Sequence, residues 1–393
     1  MSIELAKRSK AEEIVASLRD ANYKDDFQPT YSDEQDLIDS IGHIEKNVDP
    51  VTTPDNIKKL SRALANIATG NDARLLLITG NCSERITDPH HAVAATQESL
   101  SGLELIDDSD LGNNVLHVRR DRGQNTKPRS ASHEQIEGKL VSSYMGDAIN
   151  SPNPHDRSPD PSRLINGAQQ AAALERNLIL HRGEHVPAAH EALSLHYENA
   201  FVHRNHDGSF LLSADLPWIG VRTNQLHSRH VDLMSTIENP VGVKIDASSD
   251  HEHIEGLSKK LNPTRRLGKI AWMLRVGLDH PDAIKSILSS IVDIDQAPII
   301  MYDIHGSTVK RPDGAKIRAV SRILEEIEQL HDICQQTGTK LHGLHLETTS
   351  KDRIECVDTL METPLHEGGI DPQLNPAQTL KIVNQFAHMN RLS

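Results

Sequence analysis

Through the first seventy or so residues, apolar positions recur at helical spacing: Ile14 and Leu18; Leu37, Ile41 and Ile44; Ile57, Leu60, Leu64 and Ile67. Polar and proline-containing stretches separate these groups, so residues 1–70 read as an N-terminal helical extension. From Arg74 the pattern changes. Short apolar runs alternate with longer helical stretches, the signature of repeated βα units and a parallel sheet. Strands are predicted at Arg74–Gly80, Val115–Arg119, Leu211–Trp218, Val241–Asp246, Lys269–Arg275, Pro298–Ile304, Lys340–Glu347 and Gly368–Asp371. Helices are predicted between them, among others at His90–Leu105, Gln225–Ile237, Ala283–Ile291, Ile317–Gln336 and Ala377–Met389. Eight strands with interleaved helices predict an α/β protein, a (β/α)₈ TIM barrel over residues 71–393. The roughly ninety residues between the second and third predicted strands exceed an ordinary connection and predict a helical insertion there. That insertion includes the proline-rich loop Ser151–Ser162.

Length agrees with this architecture, since 393 residues fit one barrel with insertions. A net charge of −14 argues against a nucleic-acid binder, because phosphate backbones demand a basic surface. No segment has the unbroken apolar run of a signal peptide or membrane span, and three cysteines are too few and odd for a disulfide framework. A reduced, cytoplasmic setting is expected.

In such a barrel the chemistry sits at the C-terminal ends of the strands. The polar residues there fall into two sets. Cys82, His305, Glu347 and Asp371 offer a thiolate, an imidazole and two carboxylates, a mixed set suited to a divalent ion such as Mn²⁺, Co²⁺, Fe²⁺ or Zn²⁺. Arg120, Lys127, Arg129, Arg222, Lys244 and Arg275 concentrate cations that an acidic protein gathers when an anion neutralises them. Taken singly, each residue has a plainer reading. A cysteine after a strand is commonly a small buried hydrophobe, and the same is expected of Cys334 and Cys356 on helical patterns; a carboxylate can cap a helix; an arginine can serve a salt bridge. The functional reading rests on their coincidence at successive strand ends.

Several stretches resemble the class II 3-deoxy-D-arabino-heptulosonate-7-phosphate (DAHP) synthases. Gly123-Gln124 followed by Lys127-Pro128-Arg129-Ser130 matches a GQxxKPRS signature; Ser143–Asn150, Trp218–Gln225, Asn239–Lys244, His305-Gly306, Gly343–Glu347, Glu355–Val357 and Asp371–Asn375 continue the match in order. The resemblance implies a carbon–carbon bond-forming transferase that condenses phosphoenolpyruvate with erythrose 4-phosphate, at the entry to the shikimate route or in a secondary-metabolite branch. It implies a metal held by Cys82, His305, Glu347 and Asp371, Mn²⁺ or Co²⁺ foremost. Phosphoenolpyruvate would lie on Arg120, Arg222, Lys244 and Arg275, and the aldose phosphate on Lys127, Arg129 and Ser130. Lys244, Arg275, His305 and Glu347 would be the catalytic residues, in an oligomer, most simply a homodimer.

The chain departs from the family pattern at four places. Val221 stands for a usual Glu and Asn224 for a common Arg; Asp246-Ala247 replace Gly-Pro; and Tyr302-Asp303-Ile304-His305 replaces Asp-Pro-Met-His. Two alternatives therefore stay open: a related enzyme using an imine analogue or another aldehyde as acceptor, and a non-catalytic barrel serving as a binding or scaffold protein.

Overall fold

Eight parallel strands close into a barrel in the computed structural model, which describes residues 8–19, 28–81, 91–120, 126, 131–311, 316–360 and 371–392. They are β1 (Leu75–Gly80), β2 (Val115–Arg120), β3 (Ala188–Glu191), β4 (Leu216–Ile219), β5 (Val241–Ile245), β6 (Ile270–Leu274), β7 (Ile299–Asp303) and β8 (Gly343–Glu347). Each pairs with its neighbours in chain order, and β8 closes on β1 with Gly80 opposite Glu347.

Two predicted strands are corrected. The run Leu211–Trp218 is not one strand: its start ends a short hairpin (Val202–Asn205 with Gly208–Leu211), and β4 begins only at Leu216. The third barrel strand is Ala188–Glu191, which escapes a pattern search because four residues carry too little periodicity. The expected strand at Gly368–Asp371 is not the eighth. Residues 368–370 lie outside the described residues, Asp371 is not in a strand, and the barrel closes at Glu347. The segment after Asp371 returns to the barrel, where Leu374 bridges Thr348.

Alternation along the strands sorts side chains to two faces. Leu76, Ile78, Val118, Ala189, Leu216, Trp218, Ala271, Met273, Ile299 and Met301 fill the barrel interior. Their neighbours Leu75, Leu77, Val243, Trp272, Ile300, Leu344 and Leu346 face the surrounding helices. Two inward positions are glycines because no side chain fits: a Cβ on Gly242 would lie 2.6 Å from Cβ of Trp218, and one on Gly343 would lie 2.1 Å from the carbonyl oxygen of Leu76.

Among the described residues three helices precede β1: α1 (Lys10–Ser17), α2 (Glu34–Asn47) and α3 (Pro54–Ala68). Helix α3 starts at Thr53, whose side chain accepts from the Asn56 N–H, with Pro54 in the first turn. Its apolar stripe puts Leu60, Leu64 and Ile67 into the interior cluster, against the N-terminal ends of the strands. Each such side chain contributes about 1.5–3 kcal/mol on burial. One end of the barrel is thereby plugged, leaving the other for chemistry.

Helix α4 (His91–Asp107) follows β1, and between Arg120 and Ala188 the insertion holds an antiparallel hairpin (His133–Ile136 with Lys139–Ser142) and the long helix α5 (Ser162–Arg182). The expected helical insertion thus carries, among the described residues, a hairpin beside its helix. The SYMGDAIN stretch is a braced loop leading to α5: the Asn150 amide donates to the carbonyls of Ser143 and Arg157, and the Tyr144 hydroxyl donates to Asp147 at 2.6 Å. A buried polar chain on the outer face fixes β3. Arg119 pairs with Glu175 of α5; His185 lies 2.7 Å from Glu175 and 3.0 Å from Asp215; and Asp215 accepts from the Ala188 N–H at 2.8 Å. No helix among the described residues is long and apolar enough to cross a membrane.

Candidate active site

Because alternate residues share a face, the inward rows at the C-terminal ends of the strands read Arg120, Glu191, Trp218, Lys244, Asp303, His345 and Glu347, with Arg275 and His305 following β6 and β7. This is a polar layer on an apolar barrel floor. Its centre is Trp218, 1 % exposed. The Arg120 guanidinium and the Lys244 ammonium lie 5.7 and 5.4 Å from its ring, close enough for cation–π attraction, and the His345 ring lies 4.9 Å away.

His305, Glu347 and Asp371 form one pole. Nε2 of His305 is 3.1 Å from Oε1 of Glu347 and 3.9 Å from Oδ2 of Asp371. All three ligand atoms lie within 4.8 Å of one another, a donor set that fits a divalent cation. Asp371 reaches this pole from the segment after β8, not from a barrel strand. The cationic pole begins at Arg120, whose Nη1 is 2.5 Å from Oε1 of Glu347. Lys244, on β5, is bound to Asp303, with Nζ 3.1 Å from Oδ2. Arg275 follows β6, its N–H donating to the Ile245 carbonyl. No side-chain hydrogen bond or ion pair holds its guanidinium among the described residues. Arg222 lies half-buried in the turn after β4.

Burial alone would raise the Glu347 carboxyl, but His305, Arg318 and Arg120 hold it well below the usual range. Asp303 behaves alike: burial opposes its charge, and Lys244, His305 and His345 more than compensate. Burial beside Lys244 pushes His345 down to about 3, so its imidazole is neutral.

Of the residues expected from sequence, Arg120, Lys244, His305, Glu347 and Asp371 come together. Cys82, Lys127, Arg129 and Ser130 lie outside the described residues. Sequence reasoning missed Asp303, His345, Trp218, Lys316 and Arg318. Arg318 is fully buried, with Nη1 2.5 Å from Oε2 of Glu347 and Nη2 3.3 Å from Oδ2 of Asp371, and Lys316 pairs with the other oxygen of Asp371. Asp303 and His345 could have been found, since each stands two residues before a flagged strand-end residue and so shares its face.

Three of the four departures from the family pattern find local explanations, and nothing in the structure explains Val221. Asn224 is buried and donates to the Lys244 carbonyl at 2.7 Å. Asp246 accepts from the Ser248 N–H and hydroxyl, which keeps its charge in its own turn. Tyr302 faces outward, its hydroxyl bonded to Ser307 and, at 3.4 Å, to Glu326.

The sequence pattern of the class-II DAHP synthetase family matches residues 15–180 and 182–387. The chain belongs to that family. Membership makes the protein an enzyme of the DAHP synthase type, a transferase that forms a carbon–carbon bond. Among its relatives, a probable phospho-2-dehydro-3-deoxyheptonate aldolase of Pseudomonas fluorescens is 30 % identical over 382 residues, 91 % of this chain and 93 % of that protein. The phospho-2-dehydro-3-deoxyheptonate aldolase AroG of Mycolicibacterium smegmatis is 28 % identical over 439 aligned positions, 93 % of this chain and 92 % of that one. The solved structure of the phospho-2-dehydro-3-deoxyheptonate aldolase from Francisella tularensis superposes with a TM-score of 0.52 at 16 % identity, covering 86 % of this chain and 92 % of that one. That last likeness bears on the fold alone.

Proposed function

We propose that this DAHP synthase family member condenses phosphoenolpyruvate with erythrose 4-phosphate, giving DAHP and phosphate, with a divalent cation as cofactor. One observation carries the reading: a cation-rich pole (Arg120, Lys244) and a ligand pole (His305, Glu347, Asp371) meet in one layer at the open end of the barrel. A carboxylated, phosphorylated substrate beside a Lewis acid requires such an arrangement.

His305, Glu347 and Asp371, with Cys82, would hold the ion; a mixed thiolate, imidazole and carboxylate set suits Mn²⁺ or Co²⁺. When bound, it would supply Lewis-acid polarisation at the aldehyde oxygen. Arg120, Arg222, Lys244 and Arg275 would bind the carboxylate and phosphate of phosphoenolpyruvate, and Lys127, Arg129 and Ser130 the aldose phosphate. Two anions that repel in water are thereby held together, and that proximity supplies much of the rate. The enol-ether C3 attacks the aldehyde carbon and a carbon–carbon bond forms, while the aldehyde oxygen takes a proton. Water adds at C2, the C2–O bond to phosphate breaks, and C2 is left as a ketone. Lys244 and Arg275 bear on the charge that moves at C2 and its phosphate.

Product analysis tests the reading. With ¹³C-labelled phosphoenolpyruvate, C3 becomes bonded to the former aldehyde carbon and C2 becomes a ketone. Labelled pyruvate alone, or unchanged phosphoenolpyruvate, contradicts it.

A further inference from the structure

Asp303 lies between the two poles. It is fully buried, and each oxygen has its own task. Oδ1 accepts from Nδ1 of His305 at 2.5 Å and from the His305 backbone N–H at 3.1 Å; Nδ1 of His345 is 3.3 Å away. Oδ2 is 3.1 Å from the Lys244 ammonium. Asp303, His305 and His345 are close enough to form a cation site of their own. The Lys244 ammonium already stands at it, 3.1 Å from Asp303 and 3.4 Å from Nδ1 of His305. This trio is therefore a seat for the lysine.

An ionised carboxylate can only accept, so Nδ1 of His305 carries the proton in this contact. The ring is then oriented with Nε2 toward Glu347 and Asp371. A carboxylate behind a ligating imidazole fixes its tautomer and raises its basicity, and removal of such a partner weakens metal affinity about 10–100-fold.

We propose that Asp303 is a positioning residue that joins the two poles, presenting Nε2 of His305 to the cation and tethering Lys244 on the anion side. This rests on the reading of His305, Glu347 and Asp371 as cation ligands.

The test is Mn²⁺ titration of the full-length apoprotein, with free Mn²⁺ followed by electron paramagnetic resonance and fold integrity by circular dichroism. Asp303→Ala, which removes the acceptor, is expected to raise the Mn²⁺ Kd about 10–100-fold. Asp303→Asn, which keeps a neutral acceptor oxygen, is expected to recover part of that loss. Phosphoenolpyruvate affinity measured without metal should also fall in folded Asp303→Ala, where Lys244 loses its tether, and unchanged affinity there overturns the tether. A Kd within about twofold of wild type in folded Asp303→Ala overturns the proposal; if that variant does not fold, the same criterion applies to Asp303→Asn. Failure of the wild-type protein itself to bind Mn²⁺ removes the ligand reading, and this inference with it.

Discussion

Nη1 of Arg318 lies 2.5 Å from Oε2 of Glu347, and both side chains are wholly enclosed. Burial would lower the arginine's affinity for its proton, yet Glu347 and Asp371 raise it beyond its ordinary value. A buried pair of this kind is costly to break from one side, because the remaining charge has no solvent. It is also a scaffold for the ligand pole, since it fixes the carboxylate that faces His305.

Replacing Arg318 with Met leaves Glu347 and Asp371 short of their buried counter-charge. The expected loss is about 3–5 kcal/mol of folding stability. Urea denaturation monitored by circular dichroism measures it, and a loss below about 1 kcal/mol means that the enclosed pair is not structural.

Arg275 makes the opposite case. Its guanidinium has no side-chain partner among the described residues, so Arg275→Ala should leave stability and metal content unchanged. Charged hydrogen bonds to a bound anion are worth about 1.5–3 kcal/mol, roughly ten- to a hundredfold in affinity. Calorimetric titration with phosphoenolpyruvate should show that weakening. A variant that unfolds or loses metal instead would mark Arg275 as structural.

His185 predicts a pH dependence away from the site. Burial disfavours its charge, but Asp215 and Glu175 outweigh burial and raise it from 6.5 to about 9. A raised imidazole stabilises fully below its unfolded value, and the contribution is lost as pH rises through the folded value. The stability difference between wild type and His185→Gln should therefore be largest near pH 6 and shrink toward about pH 10. Urea midpoints across that range check it, and a difference independent of pH counts against the ionised network.

The packing around Gly242 predicts a loss by overfilling. A Cβ there meets Trp218 at 2.6 Å and Met273 at 2.8 Å. Gly242→Ala is expected to cost about 1–3 kcal/mol, and to weaken phosphoenolpyruvate binding by shifting the ring between Arg120 and Lys244. Thermal unfolding with the same calorimetric titration reads both effects.

The barrel was legible because strands buried on both faces read as short continuous apolar runs, and β1, β2, β5, β6, β7 and β8 stand close to their predicted places. Strand β3 was not legible. Four residues, Ala188–Glu191, are held by backbone pairing and by the Arg119–Glu175–His185–Asp215 chain, and such long-range contacts leave no local pattern. The site was legible where a residue terminates an apolar run, as for Arg120, Lys244 and Glu347. Arg318 was not, because it is brought to Glu347 by the fold from the edge of a short hairpin (Val309–Lys310 with Lys316–Ile317) just before the helix Val320–Gln336. The two free cysteines that the structure describes, Cys334 and Cys356, are core residues as expected, with burial pushing both thiols up to about 12.

The central claim is that the two poles act together on phosphoenolpyruvate and an aldose phosphate. It is tested most directly by phosphate release from Mn²⁺-loaded protein given phosphoenolpyruvate and erythrose 4-phosphate, each omitted in turn, and again after chelation. Release that needs both substrates, stops on chelation and returns with added Mn²⁺ is the predicted result. Release that ignores the aldose or survives complete removal of metal contradicts the account.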